Sequence, residues 1–423
     1  MAQAKHHVEP QRCPRKGGAR FIACRCLLRW GKGGVFAETL IAKEAQGISA
    51  PDRALVQSIV LGTLRHMRWL EHICLTLRGS TLQPEAFWPV LAGLCQIFVL
   101  RLPDHAVVSE TVNCVPPRLK GLVNALLRTA LRRRGALEAE SETLPLGVRY
   151  SAPDWLVERW QKEFGPQATQ AMLAWNVGVP PVYARLNPLN PMQVPADWQP
   201  LEAAPGWYRI PSGLPTDALK AGQVYIADPS TRHCITLLNP QPGERILDAC
   251  AAPGGKSAAM IGATLGDIHL LATDAAPHRL PQLKENLLRA GGLDVQVACH
   301  DWTQPCPESM KGRFDAVLLD VPCSNSGVLQ RRVDARWRLL PDEFARLAAL
   351  QSSILEQASA ALAPGGRLVY STCSIDAQED RMVVDAFLAR HPEFEFVQDY
   401  LALPHLEQAD GAYAALLSLR AKD

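Results

Sequence analysis

Long apolar runs are missing from this chain. No stretch of roughly 18 or more apolar residues occurs among its 423 residues, so a helical membrane span is not expected. A secretory leader is not expected either. Lys5, Arg12, Arg15 and Lys16 make the N-terminus basic, but Arg25 and Arg29 interrupt the stretch that follows, leaving no continuous apolar segment. Regular cysteine pairing is missing as well: the 12 cysteines are scattered with no repeated interval, which argues against a disulfide framework. Cys24-x-Cys26, with Cys13 nearby, is poorly spaced for zinc and has no second ligand pair, so no metal site is expected. Free thiols in a reducing cytoplasm, the compartment expected for this chain, fit better and permit a catalytic thiol. No internal repeat is evident.

What is present is an ordinary globular composition, 48 % hydrophobic and 20 % charged, with length for two or three cores. The formal net charge of +2 hides an asymmetry. Residues 1–140 carry 20 Lys and Arg against 10 Asp and Glu, whereas the remainder carries 24 against 32. A basic front joined to a mildly acidic back points to a front that grips a polyanion. A solvated basic surface would have the same composition, and charge alone does not separate the two.

Residues 20 to about 137 read as helices only. From Ser49 to Leu77, apolar positions recur every three to five residues, the pattern of one helix face or of two helices in series. Ser49, Pro51 and Asp52 supply a capping hydroxyl, a fixed φ and an acid at the positive dipole end. A second pattern runs from Val90 to Leu102 and stops at Pro103; a third runs from Arg118 to Arg134. The arginines Arg132, Arg133 and Arg134 suit a helix C-terminus electrostatically as well as they suit phosphate. Residues 138–150 read as a linker. From Tyr150 to about Gly222 the chain is proline-rich, with short helical and strand-like pieces, and reads as a small connecting α+β subdomain.

From Gly243 onward, strand-like runs alternate with helix-length segments: Arg245–Cys250, His269–Asp274, Val295–Asp301, Phe314–Asp320 and Arg367–Ser371. That alternation predicts a parallel, doubly wound α/β sheet. The first run leads into Asp248-Ala-Cys-Ala-Ala-Pro-Gly-Gly-Lys-Ser257. A glycine-rich turn between strand and helix lets backbone approach a ligand closely. The pattern is neither a Walker loop nor G-x-G-x-x-G, and alone it is a weak signal. Its order strengthens it. Asp274, Asp301 and Asp320 end the next three strands, on the carboxyl edge where open α/β sheets bind ligands; Asp274 suits ribose hydroxyls and Asp301 an adenine amino group. Each acid singly could be a surface carboxylate or a cap.

Two cysteines lie on the same edge, in Asp320-Val-Pro-Cys323-Ser and Ser371-Thr-Cys373-Ser. A cysteine after a strand is usually a small buried hydrophobe, but these occupy polar, turn-forming surroundings. A thiolate can add to carbon 6 of a cytosine and make carbon 5 nucleophilic enough to accept a methyl group. The adduct must then lose its carbon-5 proton and expel the thiolate. Asp320 is placed to hydrogen-bond ring N3.

These three motifs, in this order, resemble the RNA cytosine-5 methyltransferases of the Nop2/Sun type. The resemblance implies that Cys373 is the nucleophile and that Cys323 assists breakdown of the adduct. It implies S-adenosylmethionine against Cys250, Ala251, Ala252, Pro253, Gly254, Gly255, Lys256, Asp274, Asp301 and Asp320, with Asp320 shared between cofactor and catalysis. Asp52-Arg-Ala-Leu-Val, Gly62-Thr-Leu-Arg65, Pro103-Asp-His-Ala106 and Lys120-Gly-Leu-Val-Asn-Ala-Leu-Leu-Arg128 resemble the NusB-like helical RNA-binding domain of the RsmB (Sun) branch, which methylates 16S ribosomal RNA. Pro153-Asp-Trp-Leu156 and Arg185-Leu-Asn187 resemble that branch's connecting segment.

The expected chain is therefore multidomain. A disordered extension (1–20) precedes an all-α NusB-like domain (21–140), an α+β connecting subdomain (150–222) and a Rossmann-like, S-adenosylmethionine-dependent methyltransferase domain (223–423). RNA, as 16S rRNA or a small-subunit assembly intermediate, is the expected partner of a monomer needing no membrane and no metal. Phosphate contacts are expected from Arg185, Arg331, Arg332, Arg336, Arg338 and the front domain's arginines. The alternatives are the same chemistry on transfer RNA, or a non-catalytic RNA-binding assembly factor. The chain departs from the family at Asn325-Ser-Gly327, where Gly/Ala-Thr-Gly is common after Pro-Cys-Ser. It departs again at Glu379-Asp380, a looser form of Glu-Asn-Glu, and at Gly411-Ala-Tyr413, where Gly-Phe-Phe is common.

Overall fold

The computed structural model describes residues 18–211 and 213–421. The expected disorder of residues 1–20 falls mostly on residues 1–17, outside the described ones, as does Cys13; Ala19 and Arg20 already belong to the first helix. The chain divides into two compact units, Met1–Ala152 and Pro153–Asp423.

The first unit is helical throughout. The long apolar pattern after Ser49 resolves into two helices in series, Ala50–Arg65 and Met67–Arg78. Ser49 caps the first through its hydroxyl, which accepts the Asp52 amide at 3.2 Å, with proline in the first turn. The pattern ending at Pro103 is the helix Pro84–Leu94 followed by a π-helical turn at Cys95–Val99. The third pattern is the helix Pro117–Arg132. Ile22, Leu27, Ile59, Leu64, Leu91, Leu94 and Leu127 are buried in this unit. The segment read as a linker is itself largely helical, over Arg134–Ser141 and Leu146–Arg149. Leu137, fully buried, explains why it folds back. No helix among the described residues is long and apolar enough to cross a membrane.

The second unit opens with the helix Asp154–Asn176, kinked at Gly165, where φ is +80°. A four-stranded antiparallel sheet follows, built from β1 (Val182–Leu186), β2 (Gln199–Pro200), β3 (Trp207–Ile210) and β4 (Val224–Ile226) in the order β2-β3-β1-β4. The larger sheet contains β5 (Arg245–Asp248), β6 (His269–Asp274), β7 (Val295–Cys299), β8 (Phe314–Asp320), β9 (Leu362–Thr372), β10 (Phe394–Ala402) and β11 (Ala412–Leu419), in the order β10-β11-β9-β8-β5-β6-β7.

Strands β5 to β9 are mutually parallel, as the alternating pattern predicts. Side chains alternate between faces with period two. On β8, Val317 and Leu319 join a core with Ile354, Leu355, Val384 and Phe387. Ala316 and Leu318 join the opposite core with Met260, Ile261, Leu283 and Leu287. The wholly parallel expectation needs one correction: β11 pairs antiparallel with β9, and β10 antiparallel with β11. A parallel connection needs a crossover of about a dozen residues or more, and the short segment between Ala402 and Ala412 cannot supply one.

One expected phosphate contact serves the fold instead. Arg336 is 1 % exposed, and its guanidinium donates to the carbonyls of Asn176 at 3.0 Å and Leu329 at 2.9 Å. It clamps the segment after Cys323 to the end of the opening helix of this unit. Arg336→Ala is expected to lower stability by about 2–4 kcal/mol through lost hydrogen bonds and a cavity. Denaturant unfolding tests this, and a loss below about 0.5 kcal/mol, the range of a neutral surface change, would contradict the clamp.

Candidate active site

The glycine-rich segment runs from the end of β5 into the helix Gly255–Ala263. Gly254 has φ +105°, a region L side chains avoid, and a Cβ there would meet Leu283 at 3.0 Å. Backbone bonds fasten the loop to β6: Ala251 donates to the Thr273 carbonyl at 2.8 Å. Behind it, Ser257 donates to Asp248, which is fully buried. Asp274 accepts the amides of Ala252 at 3.3 Å and Ala276 at 2.9 Å. Asp301, two residues beyond β7, accepts the Thr303 amide and hydroxyl, each at 2.9 Å, and these bonds hold its pKa below the ordinary carboxylate value. Both carboxylates line a cavity of about 870 Å³, within the range of small-molecule sites. A glycine turn, a helix N-terminus and carboxylates at two strand ends suit a nucleoside-bearing cofactor with ribose hydroxyls.

The same cavity is lined by Lys256, Asp320, Cys323, Asn325, Arg331, Arg332 and Cys373. Strands β8 and β9 are parallel neighbours with Asp320 opposite Ser371. Cysteines just beyond two such ends are therefore brought together. The sulfurs of Cys323 and Cys373 lie 3.0 Å apart, and Cys373 also meets the Asn325 side-chain oxygen at 3.4 Å. The loops touch through backbone as well: Gly327 donates to the Cys373 carbonyl at 3.0 Å, and a Cβ at Gly327 would fall 2.4 Å from the Gly411 oxygen. Only glycine permits that approach.

Charge sorts the groups further. The Lys256 ammonium contacts Asp320 at 2.6 Å. Burial, the largest single influence, works against that charge, but the charge and hydrogen bond of Asp320 together with the nearby Cys234 and Cys373 raise the Lys256 pKa. The Cys323 thiol is pushed well above its ordinary pKa, first by its bond to Cys373 and then by burial. Burial, reinforced by the surrounding carboxylates, pushes Cys250 up too. Cys250 and Cys323 thus hold their protons at neutral pH.

With this geometry established, the relatives are informative. Residues 235–418 match the family described as 16S rRNA methyltransferase RsmB/F, and residues 18–132 match the NusB family. A protein of Vibrio cholerae called ribosomal RNA small subunit methyltransferase B is 37 % identical over 400 residues, covering 88 % of this chain and 91 % of its own. A protein of the same name from Yersinia enterocolitica is 34 % identical over 429 residues, covering 95 % and 98 %. The chain belongs to this RsmB/F family. Its fold is also that of the crystal structure of PH0851, with TM-score 0.74 at 23 % identity, covering 94 % and 98 % of the two chains. NSun6 from Pyrococcus horikoshii matches at TM-score 0.54 and 20 % identity, covering 64 % and 99 %.

Among the residues singled out from the sequence, Cys250, Ala252, Lys256, Asp274, Asp301, Asp320, Cys323 and Cys373 line one cavity. Ala251, Pro253, Gly254 and Gly255 shape the loop without lining it. The RsmB/F-like segment carrying the expected phosphate-binding arginines divides. Arg332 is exposed at the rim, whereas Arg331 is held by Asp228 at 2.7 Å and Asp410 at 2.8 Å. Arg338 lies 4.0 Å from Asp334. Arg185 stacks over Trp207 and Tyr225, and burial lowers its pKa to about 10. Sequence reasoning missed Asn325, Trp302 and the Asp228–Arg331–Asp410 group, whose members are distant in sequence. Among the described residues no cluster of three or more His, Cys, Asp or Glu could hold a metal ion.

Asp248 yields a pH test. Burial is the largest influence on its carboxyl; the Ser257 bond opposes it, Asp320 reinforces it, and the pKa reaches about 7. The folded state therefore keeps a proton that the unfolded chain loses near pH ~3.9, so stability falls as pH rises from about 4 to about 7. Asp248→Asn removes that contribution, of up to about 1.4 kcal/mol per pH unit. Unfolding free energies of both proteins measured across the window should diverge; a constant difference would show that the carboxyl is already ionised.

Proposed function

We propose that this protein transfers a methyl group from S-adenosylmethionine to carbon 5 of a cytosine in 16S ribosomal RNA, through a covalent bond between Cys373 and carbon 6. The observation that carries the reading is the pair of sulfurs 3.0 Å apart, facing the cavity that also contains the Lys256–Asp320 pair. Family membership and the names of the Vibrio and Yersinia relatives support ribosomal RNA as the substrate.

When bound, S-adenosylmethionine supplies an electrophilic methyl group. Cys250 to Lys256, Asp274 and Asp301 would hold it at the glycine loop. The nucleophile assignment rests on the motif resemblance, which gives the attacking role to Cys373 of Ser371-Thr-Cys373-Ser and the releasing role to Cys323. The thiolate rather than the thiol attacks, so Cys373 would add to carbon 6 as its thiolate. In the Lys256–Asp320 pair the ammonium carries the proton that a carboxylate lacks; relayed through Asp320 to ring N3, it would neutralise the charge that addition moves into the ring and leave Asp320 ionised. Carbon 5 then takes the methyl group. Loss of the carbon-5 proton to Asp320 restores the ring double bond and expels the Cys373 thiolate, and Cys323 is positioned to protonate it. The target base has to leave its stack to reach sulfurs inside a cavity, and Arg332, exposed and also lining it, is available for its phosphates.

Cys373→Ala is expected to reduce tritiated-methyl incorporation into 16S RNA by on the order of 10³-fold or more, with cofactor binding retained. Incorporation at the wild-type rate would overturn the nucleophile assignment. Cys323→Ala is expected to accumulate a covalent RNA–protein species on denaturing gels; absence of that species with RNA and cofactor present would remove Cys323 from release. Bisulfite sequencing of 16S RNA methylated in vitro identifies the base, and methylation anywhere other than cytosine carbon 5 defeats the chemistry.

A further inference from the structure

Behind the two cysteines lies a carboxylate that the mechanism above does not use. Glu379 is fully buried. One of its oxygens accepts the backbone amide of Ser324 at 2.9 Å and the side-chain amide of Gln351 at 2.9 Å. Its other oxygen accepts the Ser374 hydroxyl at 2.9 Å. None of these donors is a cation. Ser324 immediately follows Cys323, and Ser374 immediately follows Cys373. One carboxylate therefore holds the residue next to each sulfur.

The surroundings reinforce the bridge. Gln351 also donates to the Pro322 carbonyl at 3.0 Å, so Cys323 is bracketed on both sides by groups tied to Glu379. On the other loop, the Thr372 hydroxyl donates at 2.6 Å to Asp380, the residue after Glu379, so the segment carrying Glu379 is fastened on both sides of Cys373. Ser326 and Ser374 share a hydroxyl contact at 3.0 Å, and the Ile375 amide donates to Ser326 at 3.1 Å. A buried carboxylate left without these donors would be costly, so the donors must keep their places, and the two loops must keep theirs.

We propose that Glu379 is the positioning residue that fixes the separation of the Cys323 and Cys373 sulfurs. It acts through both loops at once and never touches the substrate. The inference deepens the proposed mechanism, in which the second sulfur must stay within proton-transfer reach of the first. A misplacement of about 1 Å between reacting groups costs on the order of 10²-fold in rate.

The test reads the sulfur separation directly, in the full-length protein without RNA. Diamide oxidises two neighbouring thiols to a disulfide, taking up two electrons and two protons, and peptide mapping follows the Cys323–Cys373 bond. In Glu379→Ala the bridging rate is expected to fall about tenfold or more, and kcat for methyl transfer with it, while KM for S-adenosylmethionine is unchanged. Glu379→Gln keeps an acceptor for the Ser324 and Gln351 donors and is expected to restore most of the bridging rate. Ser374→Ala cuts the Glu379 tie to the Cys373 loop, and with it the hydroxyl's contacts with Ser326 and the Asp376 amide, but keeps the tie to Ser324, and is expected to give an intermediate loss. If Glu379→Ala folds, by thermal unfolding, and bridges as fast as wild type, the proposal is overturned. If Glu379→Ala does not fold, Ser374→Ala decides: an unchanged bridging rate there overturns it. Should the wild-type protein bridge readily yet methylate no cytosine, the functional reading fails while the positioning role stands.

Discussion

Two parallel strands ending side by side are the constraint on which the site depends. Because β8 and β9 run in the same direction with Asp320 opposite Ser371, whatever follows either strand emerges at the same edge. A cysteine three residues past Asp320 and another two past Ser371 can then meet without either loop being long. The close approach has costs that the sequence meets locally. Gly327 removes a side chain that would collide with Gly411, and the polar groups of both loops find partners in Glu379, Gln351 and the serines. Buried polar groups are tolerable when satisfied, and here satisfying them also sets the distance between the sulfurs.

Electrostatics then divides chemically similar residues into different roles. Of the three cysteines lining the cavity, burial among carboxylates pushes the Cys250 thiol up, and the bond to its neighbour together with burial pushes the Cys323 thiol up. Carboxylates divide likewise. Asp301, exposed and bonded by Thr303, stays ionised, whereas Asp248, sealed behind the glycine loop, is pushed up to about 7. Lys256 keeps its charge in a half-closed setting because Asp320 lies beside it. Environment rather than residue type assigns the work.

The parts of the fold most legible in the sequence were those governed by local rules. The limits of β6 and β8 and the cap at Ser49 follow from short, largely apolar runs that end in an acid and from capping chemistry, and all three appear where expected. The chemistry-bearing motifs were legible because their spacing from strand ends is short. What escaped depended on partners far away in the chain. The pair β10–β11 carries an alanine-rich strand of weak β propensity, stabilised by β9 rather than by its own sequence. Arg331 and Arg336 read as solvent-facing cations, yet their partners are Asp228, Asp410 and the Asn176 carbonyl, about a hundred residues or more away for Asp228 and Asn176. Glu379 looked like a loosened motif until its donors on both cysteine loops became visible.

Internal pairing also changes how the basic excess of the front unit is read. Several of its cations are spent within the unit: Arg25 and Arg29 on Glu44, Arg101 on Glu138, and Arg134 on Asp104. What survives is more localised than composition implied. On the helix Pro117–Arg132, Arg118, Gly121, Ala125, Arg128 and Arg132 are all exposed, and at 3.6 residues per turn they fall on one face. None of these three arginines has a carboxylate partner among the described residues, and small residues lie between them. A polyanion can lie closely against such a face, because nothing bulky holds its phosphates away from the guanidinium groups. Under the proposed function, gripping RNA through this face and reacting with a single base at the sheet edge would fall to separate units. In the second unit Arg331 and Arg336 are committed to carboxylates and carbonyls, which leaves Arg332 as the exposed arginine lining the cavity.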